Sequence, residues 1–207
     1  MSADTLALVS RRNPNRPQHR GELRRTRLLT ALADHLEEHS LADVSVAAVA
    51  DQAGLARSTF YFYFSSKNEA VTHLLSDIFD QQIATARDVL GCGGDPKHNL
   101  SRVLYLTAES WTSQRRQFLA MLDARDADTE TRDIWNAWLR RYEVFVADYI
   151  DQHLRGDTSS GDLAHALISL NERVLERHLR GHGLDSPDAI HAALEHIWTA
   201  TIFGTLR

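Results

Sequence analysis

The chain has 207 residues, of which 43% are hydrophobic and 25% charged. That suits one globular unit, or a small head fused to a larger body. No apolar run approaches the roughly 20 residues of a membrane span, and Met1 to Arg12 lacks the apolar stretch of a secretory signal. The single cysteine, Cys92, excludes an internal disulfide framework and fits a reducing cytoplasm.

The net charge of −5 argues at first against a polyanionic partner. Its distribution argues otherwise. Between Arg11 and Arg27 there are seven arginines and one acid, Glu22. Residues 1–70 carry nine basic against eight acidic side chains, and the remainder 14 against 20. A basic leading segment on an acidic body is the footprint of local phosphate contact, although a solvated basic tail has the same composition.

The element pattern is helical throughout. An arm over residues 1–20, broken by Pro14 and Pro17, leads into a first long helix from about Gly21 to His39, with Leu28, Leu29, Leu32 and Leu36 as its apolar stripe. A short helix follows over Val46 to Ala53, with Ser45 placed to cap it. Ala53-Gly54-Leu55 forms a tight turn, and a second short helix covers Arg57 to Phe64. A long helix then starts at Lys67, with Ser66 as cap and Glu69 as the capping-box acid, and reaches about Leu90. Five more helices are expected near 99–113, 116–125, 128–154, 162–180 and 187–204. The last is marked by Ser186 and Pro187. Strand signals are nearly absent, so the fold class is all-α, with a head over 21–66 and a body over 67–207.

The second short helix has an unusual surface. At 3.6 residues per turn Phe60 and Phe64 share an inward face, which leaves Arg57, Ser58, Thr59, Tyr61, Phe62 and Tyr63 facing mostly outward. Three outward aromatics make a poor solvated surface but suit a DNA groove, where rings touch sugars and thymine methyls and hydroxyls reach phosphates. Burial between the head and the body would also account for them.

The segments Ala50 to Leu55, Thr59 to Phe64 and Ser66-Lys67 resemble the helix-turn-helix signature of the TetR family over roughly Leu28 to Leu75. The resemblance implies a second short helix that enters the major groove of an operator. Arg57, Ser58, Thr59 and Phe62 would then meet base edges or sugars, and Ser45, Tyr61, Tyr63 and Lys67 phosphates. Ala56 departs from the Ser or Thr that commonly caps this helix in the family.

In the body, helix 128–154 spaces Trp135, Trp138, Leu139, Tyr142, Val146 and Tyr149 along its length, helix 99–113 adds Trp111, and the last helix adds Trp198. Such stripes form plain cores or apolar ligand cavities. Asn171 falls within the apolar stripe of helix 162–180, where a buried amide must find a partner on a neighbouring helix, in water or in a ligand. Ala166 to Arg173 and His196 to Thr199 are similar to the ethionamide-resistance repressor branch of the family. That resemblance implies an elongated apolar pocket with Asn171 bonding a ligand carbonyl and Trp111, Trp135, Leu139, Tyr142, Val146 and Trp198 around it. Tyr142 and Ile168 depart from the branch, which points to a different pocket size and polarity.

The last two helices are apolar on two sides each. Ala164, Ile168, Leu175 and Leu179 form a second face on one. On the other, Ile190, Leu194, Ile197 and Thr201 oppose Ala189, Ala192, Ala193 and Ala200. A two-fold seam between copies would bury both sides. No metal or cofactor is expected: the eleven histidines form no ligand set, and neither a nucleophile elbow nor a phosphate loop appears. The reading is a cytoplasmic, homodimeric, non-enzymatic transcriptional repressor that binds duplex DNA and a small hydrophobic ligand.

Overall fold

The computed structural model describes residues 17–154 and 158–204. Among the described residues nine helices run in chain order: α1 (Pro17–Glu38), α2 (Val46–Gln52), α3 (Arg57–Tyr63), α4 (Lys67–Gly91), α5 (Pro96–Ser113), α6 (Arg115–Ala127), α7 (Thr129–His153), α8 (Ser160–Leu179) and α9 (Pro187–Phe203). The expected helices are all present, with ends displaced by a few residues.

The largest displacement is at α1, which starts at Pro17 and not at Gly21. Proline is accommodated there because the first helical N–H has no intrahelical acceptor. Gly21 continues the helix, and a side chain on it would stand 3.5 Å from the Tyr63 hydroxyl. The expected arm therefore yields residues 17–20 to α1. Its remainder, with Arg11, Arg12 and Arg16, lies outside the described residues.

The caps follow the local chemistry. Ser66 accepts from the Glu69 N–H, and the Glu69 carboxylate reaches back to the N–H and hydroxyl of Ser65, both at 2.6 Å. The box is thus closed one residue earlier than the expected spacing. Ser186 accepts from the Ala189 N–H ahead of Pro187. Ser45 stands at the start of α2 but makes no side-chain cap, contrary to expectation, and its side chain is exposed. Ala56 precedes α3 without any side-chain cap, as its methyl dictates.

Helices α1 to α3 close a small core around Leu28, Leu32, Val49, Ala50, Phe60 and Phe64. That core continues along α4 into the body, where α7 packs on α8 and α5 on α9. On α9 the inward residues are Ile190, Leu194, Trp198, Ala200 and Ile202, while Ile197 points out at 39% exposure. The faces thus fall one residue from the expected grouping, because the straight i, i+4 row ends on Trp198.

An ion cluster ties α6 to α8. Arg125 donates to Glu172 at 3.0 Å and Glu176 at 3.2 Å, and Arg180 reaches Glu176 at 3.0 Å, Asp123 at 3.1 Å and Asp126 at 3.0 Å. Burial works to raise the Glu176 pKa, but its bonds to Arg180 and Arg125 outweigh burial and hold it below the ordinary value of 4.5. The folded chain therefore favours ionised Glu176. That stabilisation is complete above pH 4.5 and is lost as pH falls through the lower folded value. In unfolding followed by circular dichroism, Glu176→Gln should cost about 2–3 kcal/mol at neutral pH and flatten the acid limb. An acid limb identical to the parent's would show that the cluster does not set it.

Candidate nucleic-acid interface and ligand cavity

The turn between α2 and α3 needs a glycine. Gly54 has φ +62°, its N–H donates to Asp51 O, and the following Leu55 N–H reaches back to Ala50 O, both at 2.8 Å. A Cβ on Gly54 would also lie 2.7 Å from the Arg27 guanidinium. The turn directs α3 across the surface, with Phe60 and Phe64 buried beneath it.

The outward side of α3 is open. Phe62 is 79% exposed and Tyr61 47%, with Arg57 and Ser58 also exposed. The Arg57 guanidinium lies 5.6 Å from the Tyr61 ring centre, a pairing that holds a cation beside an aromatic hydroxyl. Thr59 and Tyr63 are half-buried, and the Tyr63 hydroxyl leans toward Gly21. Ser45 joins this surface from α2. Arg25 of α1 lies over the Phe64 ring at 5.6 Å, so part of the arginine run belongs to the folded head.

Lys67 departs from the expectation. Its ammonium donates to the carbonyls of Leu41 at 2.7 Å, Ala42 at 3.0 Å and Val44 at 2.9 Å. An ammonium has three protons, and all are engaged by the loop between α1 and α2. Lys67 is a clamp that fastens this loop to the start of α4, with no proton left for a phosphate. Lys67→Met should cost about 2–3 kcal/mol of stability in thermal unfolding, while the salt dependence of DNA binding keeps its slope. A slope reduced by about one unit would restore Lys67 to the phosphate contacts.

Inside the body, a cavity of ≈ 80 Å³ lies between α4, α5, α7, α8 and α9. Of the expected residues, Trp111, Leu139, Tyr142, Val146, Asn171 and Trp198 line it. Trp135 does not. It is buried behind the wall, edge-on to Phe79 at 5.4 Å, with its indole N–H donating to Glu172 at 2.6 Å. Phe79, Gln82, Ala86 and Leu90 of α4 also form the wall. Sequence reasoning missed them because α4 was read as a connecting helix. Gln82 was the available signal, a polar residue one turn from Phe79 on an otherwise apolar face.

Two polar groups face this space in defined states. The Trp198 indole N–H donates to Asn171 Oδ1 at 2.9 Å. Indole is only a donor, so the amide orientation is fixed, and Asn171 Nδ2 is left without a partner among the described residues. Asn171 itself is 9% exposed. The neighbouring helix thus satisfies half of the amide, leaving a donor for an incoming acceptor. Tyr142 donates to Gln82 Oε1 at 2.7 Å and lies 3.2 Å from Phe79 O. Burial pushes its phenol well above the ordinary range, so it stays protonated. Burial likewise pushes Tyr149 up to about 12. Among the described residues no three His, Cys, Asp or Glu side chains come together as metal ligands, and no helix is long and apolar enough to cross a membrane.

A family model of the C-terminal domain of the transcriptional regulator EthR matches residues 100–204. A model of bacterial regulatory proteins of the tetR family matches residues 28–72. The chain is 29% identical over 214 residues to the HTH-type transcriptional regulator EthR of Mycobacterium tuberculosis, covering 100% of this chain and 98% of that one. It is 31% identical over 195 residues to EthR of Mycolicibacterium smegmatis, covering 90% and 89%. The fold is shared with Thermus thermophilus FadR, a TetR-family repressor solved in complex with lauroyl-CoA, at a TM-score of 0.69 and 19% identity over 88% of this chain and 95% of that one.

Proposed function

The chain belongs to the TetR family of DNA-binding transcriptional regulators, in its EthR-type branch, and we propose that it represses transcription until an apolar ligand opens the body cavity. One observation carries this reading: the helix that walls the cavity is the helix that holds the head. Four residues of α4 line the cavity, and Lys67, at the first turn of the same helix, is bonded to the head.

Size explains the coupling. Pockets for drug-sized ligands measure roughly 300–1,000 Å³, several times the ≈ 80 Å³ present here. A ligand of that size enters only by moving walls apart. It therefore binds the opened arrangement better than the closed one, which is the differential affinity that a switch requires. Asn171 Nδ2 supplies the polar anchor, suited to a ligand carbonyl, and the aromatic and aliphatic wall supplies the rest.

On DNA, the surface of Ser45, Arg57, Ser58, Thr59, Tyr61, Phe62 and Tyr63 sits in the major groove, with the aromatics on sugars and methyls and the hydroxyls and Arg57 toward phosphates and base edges. The domains divide as a head up to residue 66 and a ligand-binding and dimerisation body beyond it. Two copies pair through α8 and α9, whose outward sides carry half-buried Leu163, Leu170 and Val174, exposed Ile197 and exposed Ala189 and Ala192. The two heads then read half-sites about 34 Å apart, one turn of the duplex. Tilting α4 changes that spacing and releases the operator. The protein works in the cytoplasm and by binding, without turnover.

Footprinting and anisotropy on the DNA beside its own gene test this. The free protein should bind a near-palindrome with steep salt dependence, and a ligand that occupies the cavity should raise the Kd for that site. Tight occupancy of the cavity with unchanged DNA affinity would refute the switch. Asn171→Leu should weaken carbonyl-bearing ligands about tenfold relative to their hydrocarbon analogues and leave operator affinity in place. Equal loss of both would make Asn171 a structural residue only.

A further inference from the structure

Beside this cavity lies a larger groove of ≈ 520 Å³ between α4 and α5. Gln82, Ala86, Val103 and Thr107 line both spaces. The partition is therefore one side chain thick, and its polar part is a hydrogen-bonded chain across three helices. Tyr142 of α7 donates to Gln82 Oε1 at 2.7 Å. Gln82 Nε2 donates to Ser110 Oγ of α5 at 2.9 Å, and Gln114 Nε2 donates to the same oxygen at 3.1 Å. Along this line the two spaces share side chains whose hydrogen bonds can be exchanged.

The two spaces differ in charge. The cavity is apolar apart from Asn171, Glu172, Gln82, Thr107 and the aromatic polar tips, and the Glu172 carboxylate is held by Arg125 and Trp135. The groove presents the exposed carboxylates of Asp77 and Glu109 together with Gln81, Ser113 and Gln114, and no Lys or Arg lines it. Neither carboxylate takes part in an ion pair among the described residues. An anionic head group placed here would meet two uncompensated like charges, and a cationic one would meet two partners.

We propose that the natural ligand is a linear amphiphile whose apolar chain fills the cavity and whose cationic, amine-type head rests in the α4–α5 groove between Asp77 and Glu109, with Gln82 as the gate it passes. This rests on the cavity being the ligand site and adds the ligand's charge and length. The Asn171 amide meets an acceptor within the chain. Passage moves Gln82 out of the Tyr142–Gln82–Ser110 chain, removing polar ties that hold α4 to α7 and α5. The groove is the wrong environment for the phosphates of an acyl-CoA, so this chain and the lauroyl-CoA-bound fold relative part in ligand chemistry.

The test uses three probes with one chain length: dodecylamine, dodecanol and dodecanoate. Binding to the full chain is read from tryptophan fluorescence, since Trp111 and Trp198 line the cavity. Measurements are made below micelle formation and at low salt, where surface charge is least screened. The amine should bind about tenfold tighter than dodecanoate, with dodecanol between them. In the double variant Asp77→Asn, Glu109→Gln the amine should lose its advantage over dodecanol. Dodecanoate binding the parent as well as the amine does would overturn the proposal, and so would an amine advantage that survives in the double variant. Dodecanol reports on the cavity alone: if it fails to bind, the cavity is not the ligand site and both readings fall; if it binds while head-group charge has no effect, only the present one falls.

Discussion

The packing of α4 is the constraint on which the rest of the molecule depends. Its first turns bury Ala70, Val71 and Leu75 completely, and Lys67 ties its start to the α1–α2 loop. Three turns further on, Phe79, Gln82 and Ala86 form one side of the cavity. From Lys67 to Gln82 is about 22 Å at 1.5 Å per residue, and within that length the helix has no glycine or proline to absorb a bend. A displacement at the cavity is therefore delivered to the head as a tilt rather than dissipated. Close-packed interiors shift between discrete arrangements and do not yield gradually, so the proposed switch would have two head positions and not a continuum.

Buried polar groups set the chemistry of the interior. Each is bonded in a way that fixes its role: Trp198 aims Asn171 Nδ2, Tyr142 stays a protonated donor to Gln82, and Trp135 is occupied by Glu172. An unmade bond at such a site costs about 1–3 kcal/mol. The Trp198 bond takes up Asn171 Oδ1 and leaves Nδ2 as a donor on the cavity wall, which an acceptor on the proposed ligand would engage. The exposed head works by the opposite logic. Phe62 at 79% exposure is unfavourable in water, and the proposed groove contact would cover it.

Much of this was legible in the amino-acid order, and the failures have physical causes. Apolar periodicity, Ser66, Ser186 and Pro187 located the helices, because caps and stripes are local properties. Gly54 identified the turn because positive φ is a local demand. Lys67 was misread as a phosphate ligand since nothing local says that three carbonyls from residues 41–44 converge on its ammonium; that is a tertiary fact. Trp135 was misplaced for a related reason. It shares a helix with Leu139, Tyr142 and Val146, but periodicity gives only the side of the helix, not the depth at which a neighbouring helix covers it. The α4 wall was missed because an apolar face reads the same whether it meets a core or a cavity. The α9 faces were rotated by one residue because alanines mark an outward side weakly.

Which wall of the cavity moves is decided by how each is fastened. The α8 wall is anchored from behind: Glu172 and Glu176 hold Arg125, and Arg180 reaches back to Asp123 and Asp126, so α6 and α8 are bound by a charged network with little exposed surface at Glu176. Removing its buried member, Glu176, costs about 2–3 kcal/mol. The α4 wall is fastened to the cavity's other sides by apolar contacts, by the Gln82 bonds and by the Asp80–Arg141 pair, whose side chains are about half exposed. Exposed pairs contribute at most about 1 kcal/mol, and apolar contacts slide at small cost compared with separated charges. Pressure from a ligand therefore falls on α4, and the clamp between α6 and α8 is what directs it there. Four acidic residues of the body, Asp123, Asp126, Glu172 and Glu176, thus fasten the far wall, and in the proposed switch the near wall is the lever.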